Sequence, residues 1–240
     1  MNFKQLMMTG LLAFLLLAGC RQQKKENAVM SYPVPPVSEE LKPAPDSTLH
    51  AAALNGNIQA VRDFISKGYK SDTEDQDGRT ALMYASYNGY TELVVELIKL
   101  GADVNRRDKY GRTSLLFASS GPYPETVKVL LDNSADPDMA DSEERFTALM
   151  YASAEGHIEN VRILLAYNSN PSLKDIDGDS ALAFAVRNGH TDIANLLRSF
   201  AQMQDNLKKT RCPAACRTPY SEFAAFLPVI LIVAHITVVN

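Results

Sequence analysis

A ten-residue phrase is written twice in this chain almost unchanged, as TALMYASYNG at 80–89 and TALMYASAEG at 147–156. Halfway between them stands TSLLFASSGP at 113–122, one interval earlier STLHAAALNG at 47–56, and one interval later SALAFAVRNG at 180–189. The opening residues, Ser47, Thr80, Thr113, Thr147 and Ser180, are separated by 33, 33, 34 and 33 positions. A fixed period of this length constrains the fold more than any local propensity. Each unit has an apolar face that it cannot bury alone, so neighbouring units must stack.

The recurring residues define the unit. A Leu follows two positions after each Ser or Thr (Leu49, Leu82, Leu115, Leu149, Leu182), and an Ala follows five after (Ala52, Ala85, Ala118, Ala152, Ala185). The preceding segment is a turn, D-x-D-G at 75–78 and 175–178 and D-K-Y-G at 108–111. Asp bonds to nearby backbone and Gly accepts positive φ, so both favour turns. A second apolar run follows, as in TELVVELIKLGADVN at 91–105, with Leu93, Val94, Leu97 and Ile98 at helical spacing. Gly68, Gly101 and Asn168 close such runs where a left-handed residue ends a helix, and Ser134 fills that slot less well. An aromatic column, Tyr84, Phe117, Tyr151 and Phe184, is expected inside the stack; a ligand groove is the other reading.

This unit resembles the ankyrin repeat, whose pattern runs D-x-x-G-x-T-P-L-H-x-A. The resemblance implies an all-α solenoid of five helix-turn-helix repeats with short β-hairpin loops, near 46–74, 75–107, 108–140, 141–174 and 175–203. The Pro of the pattern is replaced in every copy, and its His survives only as His50. The fourth lead-in, 142–146, lacks the turn Gly and carries the extra residue, which leaves that hairpin's conformation open.

Outside the repeats the chain changes character. The segment MNFKQLMMTGLLAFLLLAGC at 1–20 has a basic start and a short apolar core, the pattern of a secretory signal. Its end, L-A-G-C, resembles the bacterial lipobox, which implies cleavage after residue 19 and lipid on Cys20. Arg21 follows; the usual inner-membrane retention Asp is absent, so the outer membrane is expected, with the repeats in the periplasm. Residues 20–45 form a Pro-rich tether with five prolines and no apolar period. At the other end, residues 204–240 form a tail. Phe223–Val239 has only His235 and Thr237 as polar members and is interrupted by Pro228. Three readings stand for it: a membrane segment, a non-native tail, or a cap on the last repeat. Cys212 and Cys216 could close a disulfide in an oxidising compartment.

Little chemistry is written into this sequence. The net charge is −4, so no basic field attracts nucleic acid. His50, His157 and His190 each occupy a repeat position, and no nucleophile, phosphate-loop or metal-ligand motif is present. The expectation is therefore no enzyme, no cofactor, no metal and no small-molecule substrate. What remains is a module that binds another protein of the envelope. The alternative is an inhibitor or immunity protein that neutralises a toxic enzyme such as a secreted or interbacterial lipase. The resemblance places partner contacts on hairpin tips and first helices: Gln76, Asp77, Arg79, Tyr87 and Asn88; Lys109, Tyr110, Arg112 and Ser120; Glu143, Glu144, Phe146 and Glu155; Ile176, Asp179, Arg187 and Asn188. Arg106, Arg107, Lys109 and Arg112 lie before the third repeat, and Asp136, Asp138, Asp141, Glu143 and Glu144 before the fourth. Adjacent hairpins are thus expected to present opposite signs.

Overall fold

The computed structural model describes residues 48–210. The signal segment, Cys20, the tether, Cys212, Cys216 and the tail beyond Thr210 lie outside the described residues. Among the described residues ten helices alternate in length and form two rows. The inner row comprises α1 (Leu49–Leu54), α3 (Ala81–Tyr87), α5 (Ser114–Ser119), α7 (Ala148–Glu155) and α9 (Ala181–Arg187). The outer row comprises α2 (Ile58–Ser66), α4 (Thr91–Lys99), α6 (Pro124–Asp132), α8 (Ile158–Ala166) and α10 (Thr191–Thr210). Each inner helix packs on the next inner helix and on its own outer partner, while α4, α6, α8 and α10 stack in turn. Among the described residues there is no strand, only an isolated bridge between Ala140 and Thr147.

The inner helices begin at the Ser or Thr of the repeat. Thr48, Thr113 and Thr147 accept a hydrogen bond from the backbone three residues on, at 3.1, 3.4 and 3.4 Å, satisfying an amide that the helix leaves unpaired. In the first repeat the cap is Thr48, one position after Ser47, so α1 opens one residue later than the period suggests. The repeated Leu is at the centre of the packing: Leu49, Leu82, Leu115 and Leu149 are at most 2% exposed. The aromatic column is buried at Tyr84, Phe117, Tyr151 and Phe184. Ser134 and Asn168 adopt left-handed φ of 68° and 63°, in step with Gly68 and Gly101, so the first four of the five outer helices end in the same way. α10 continues past residue 203, where the sequence reading ends the repeat domain, and runs for 20 residues. Among the described residues no helix is long and apolar enough to cross a membrane.

Side-chain amides and carboxylates sew the loops behind the outer helices into a seam. Asp72 accepts the amide of Asp103 at 3.0 Å, Asp103 that of Asn105 at 2.9 Å, and Asn105 that of Asp136 at 2.9 Å. Asp136 accepts from Asp138 at 2.9 Å, Asp138 from Asn170 at 2.8 Å, and Asn170 from Ser172 at 3.0 Å. The links alternate between steps inside one loop and steps across a repeat boundary. Asp and Asn suit this role because a short side chain can bond nearby backbone without losing much freedom.

Candidate functional site

Four fingers project between successive repeats, each named for the repeat it leads into, second to fifth, and each built around an Asp. Asp75 Oδ1 accepts the amides of Asp77 and Arg79, both at 2.8 Å. Asp108 holds Tyr110 and Arg112 in the same way at 2.9 and 2.8 Å, and Asp175 holds Asp177 and Asp179 at 3.0 and 2.7 Å. The fourth finger differs, because of its extra residue. Asp141 Oδ1 accepts a single amide, that of Glu144 at 2.9 Å, its own amide reaches Phe146 instead of the residue four on, and Arg145 takes the left-handed turn at φ 61°. The hairpin left open by the missing Gly is therefore closed by Arg145, an uncommon conformation for a side chain of this size.

The fingers bond to one another in register. Lys109 donates its amide to Asp77 at 2.9 Å, Ser142 to Tyr110 at 2.8 Å, and Ile176 to Glu144 at 3.1 Å. Their tips thus form a continuous edge, with the inner helices beside it.

The second oxygen of each finger Asp needs its own donor. Tyr84 donates to Asp75 Oδ2 at 2.6 Å, Arg112 Nε to Asp108 Oδ2 at 2.9 Å, and Tyr151 to Asp141 Oδ2 at 3.3 Å. Burial first, and the hydrogen bond to Asp75 second, push the Tyr84 hydroxyl up to about 12. Burial and the Asp141 charge raise Tyr151 likewise. In the fifth finger Phe184 stands where Tyr would donate, and Asp175 Oδ2 is buried without a hydrogen-bond partner.

This arrangement corrects the expectation for Arg79 and Arg112. Both were placed on exposed tips; they are 2% and 6% exposed. Arg112 pairs with Asp108 and lies over the rings of Tyr110 and Phe117, 4.6 and 5.1 Å from their centroids. Arg79 sits 3.5 Å from Asp77. These side chains hold fingers in place and present no charge to a partner. The expected opposition of charges is corrected with them. Arg106 pairs with Glu74 at 2.5 Å, Arg107 donates to Ala140 O at 2.7 Å, and Lys109 donates to Gln76 O. Every cation of that cluster is engaged within the chain.

The acidic finger is different. Glu143 and Glu144 are exposed, and no hydrogen bond or ion pair among the described residues engages their carboxylates. Glu155 is exposed on α7, and Gln76, Lys109, Ile176, Arg187 and Asn188 are exposed along the same edge. Asp77, Tyr87, Asn88, Tyr110, Ser120, Phe146 and Asp179 are half-buried. Several of these also have structural work. Asn88 donates to Leu54 O at 3.2 Å, Asn188 to Ala154 O at 2.7 Å, and Phe146 packs edge-on against Tyr151 and Phe184. Asp179 pairs with Arg187. The exposed Arg145 was missed by the sequence reading; the extra residue in that lead-in was the signal that a side chain had been pushed to the tip.

The three repeat histidines are tied to backbone. His50 Nε2 donates to Thr73 O at 2.8 Å, His157 to Ser120 O at 3.2 Å, and His190 to Ala154 O at 3.0 Å. Among the described residues no group of three His, Cys, Asp or Glu side chains is placed to hold a metal ion. A family model described as ankyrin repeats in three copies matches residues 49–141 and 115–210. No curated protein matches the chain.

Proposed function

The chain belongs to the ankyrin repeat family, and from that premise we propose that it is a lipid-anchored protein of the bacterial cell envelope whose finger edge holds a partner protein. Ankyrin repeats are a protein-binding scaffold and not a catalytic one, and function must be argued from the site the scaffold carries. The observation that carries the reading is the contrast between adjacent fingers. The cations of the third finger are spent on internal bonds, whereas Glu143 and Glu144 of the fourth are exposed and unspent. A partner that meets this edge gains most by bringing positive charge to the fourth finger, where it displaces no existing bond. Placement in the envelope rests on the sequence L-A-G-C at 17–20 and on the Pro-rich stretch behind it.

The test is capture from an envelope extract on the immobilised full chain, compared with a Glu143→Lys, Glu144→Lys variant. The wild type should retain a protein that the variant loses, by about tenfold or more, with folding stability unchanged within about 0.5 kcal/mol as for exposed sites. Equal capture by both would remove the fourth finger from the site, and no captured protein would remove the binding role itself. A captured enzyme that loses activity on binding would make the chain an inhibitor. Cys20→Ser should abolish incorporation of labelled palmitate; label that persists would refute the anchor.

A further inference from the structure

Three of the five inner helices are followed by the same dipeptide, Asn-Gly, at 55–56, 88–89 and 188–189. The pair is chemically labile. With no side chain on Gly to obstruct it, the Gly amide nitrogen can approach the Asn side-chain carbon and close a five-membered ring. Asn is one of the thermolabile residues depleted in hyperthermophilic proteins. The three copies share one backbone. Asn55, Asn88 and Asn188 have φ of −91°, −91° and −88° and ψ of 2°, 0° and 1°. The glycines that follow have φ of 68°, 68° and 79°, and their amides donate to the carbonyl three residues back at 3.1, 3.2 and 3.2 Å. The backbone thus contributes equally to reactivity at each step, and the side chains make the difference. Asn88 is half-buried, and its Nδ2 donates to Leu54 O at 3.2 Å and to Tyr84 O at 3.3 Å. Asn188 is exposed, but its Nδ2 donates to Ala154 O at 2.7 Å. Leu54 and Ala154 hold the same position in the preceding repeat, so this bond ties each Asn to a predecessor. Asn55 stands in the first repeat. It is exposed, and among the described residues no hydrogen bond engages its side-chain amide.

We propose that Asn55 is a site of spontaneous covalent modification in the folded protein, and that the bond to the preceding repeat protects Asn88 and Asn188 from the same reaction. Gly56 N attacks Asn55 Cγ. A bond forms between these two atoms, the bond from Cγ to Nδ2 breaks, and the Gly56 amide proton leaves with the side-chain nitrogen as ammonia. Water then opens the resulting succinimide at either carbonyl. Opening at Cγ leaves an aspartate in an ordinary main chain. Opening at the main-chain carbonyl leaves an isoaspartate, in which the chain runs on through Cγ and is one methylene longer. The net change is amide plus water to carboxylic acid plus ammonia, with nothing oxidised or reduced. The longer main chain falls where Gly56 meets the second repeat, since an atom at its Cβ position would lie 3.1 Å from the Tyr90 ring. The isoaspartyl product therefore loosens the first repeat from the second.

Peptide mass spectrometry of the full chain tests this, after ageing in mildly alkaline buffer and in the same buffer with denaturing urea. The readout is the exchange of an amino group for a hydroxyl at each Asn-Gly step. In buffer, 55–56 should convert about tenfold or more faster than 88–89, because two hydrogen bonds must be released at Asn88 before its ring can close. The step at 188–189, with one such bond, should fall between them. In urea these bonds are gone, and the three rates should converge. Hydrogen exchange on the aged chain should show α1 and α2 less protected while α5 to α8 are unchanged. Four results would overturn the proposal: equal conversion of 55–56 and 88–89 in buffer, a rate ratio that persists in urea and so belongs to the flanking sequence, conversion of 55–56 only in urea, and an isoaspartyl chain whose α1 and α2 are as protected as before.

Discussion

Phe184→Tyr should stabilise this protein, and the reason lies in the fingers. Three finger carboxylates have a donor for their second oxygen: Tyr84 for Asp75, Arg112 for Asp108, Tyr151 for Asp141. Asp175 has none, although Phe184 stands nine positions on, as Tyr84 does from Asp75. A hydrogen bond to a charged group is worth about 1.5–3 kcal/mol. Phe184 is 2% exposed, so the new hydroxyl must be fitted into packed surroundings, and overpacking offsets part of the gain. The expected net effect is about 1–2 kcal/mol. With a urea slope of about 1–3 kcal/mol/M, the midpoint should rise by roughly 0.5–1 M. Equilibrium unfolding in urea measures it, and hydrogen exchange should place the gain in α9. The control is Tyr84→Phe, which strands Asp75 and should cost about 1–3 kcal/mol. If Tyr84→Phe is neutral, these hydroxyl–carboxylate bonds do not stabilise the fingers and the reasoning fails. If only Phe184→Tyr is neutral, the fifth finger does not share the geometry of the second.

Other substitutions probe the remaining parts. Arg112→Met leaves Asp108 buried without its cation and should cost about 3–5 kcal/mol in urea unfolding, as breaking one side of a buried pair does; a loss below 1 kcal/mol would return Arg112 to the surface. Leu115→Ala, at a fully buried position, should cost about 2–5 kcal/mol, and a value typical of a surface site would mean that the register is wrong. The folded Tyr84 hydroxyl titrates near 12 against an ordinary 10.0. Its contribution is therefore complete below pH 10 and is lost as the pH rises towards 12, since the unfolded chain ionises first. Unfolding measured across that window should show the decline, and Tyr84→Phe should flatten it; an unchanged slope would refute the assignment.

The repeat architecture was legible because a 33-residue period is global and survives the loss of individual consensus residues. What the sequence hid was direction. The slot after the finger glycine holds Arg79 and Arg112, and charge alone suggested exposure. Each lies four positions after its finger Asp, and an aromatic ring follows five later. For Arg112 those offsets place the guanidinium between a carboxylate and a ring face, which repays its burial. Reading the slot against its partners would have found this, whereas reading residue type did not. Arg107 and Lys109 were spent on backbone carbonyls of neighbouring fingers, 33 positions away in each case, and no local pattern announces a bond to a carbonyl. The apolar character of Val186 was visible, but its exposure depended on knowing that the position it shares with Ser86, Ser119 and Ser153 is buried in the three preceding repeats.

The seam and the finger bonds have a thermodynamic consequence when the stack is treated as a linear array of coupled units. The three junctions from the second repeat onward carry one finger bond each, but the junction between the third and fourth repeats carries more. There Asn160, 1% exposed, donates to Gly121 O at 2.7 Å, His157 reaches Ser120 O, Ser169 reaches Asp138 at 3.4 Å and Tyr167 reaches Asp132. In a nearest-neighbour array, opening nucleates where coupling is weakest and proceeds towards the strongest bond. The array should therefore melt from both ends inward, with the third and fourth repeats last to part. Exchange protection highest in α5 to α8 would show it, and protection that peaks at either end would exclude it. The fourth finger stands on that last-opening pair, so a partner gripping Glu143 and Glu144 would keep its hold while the outer repeats fray.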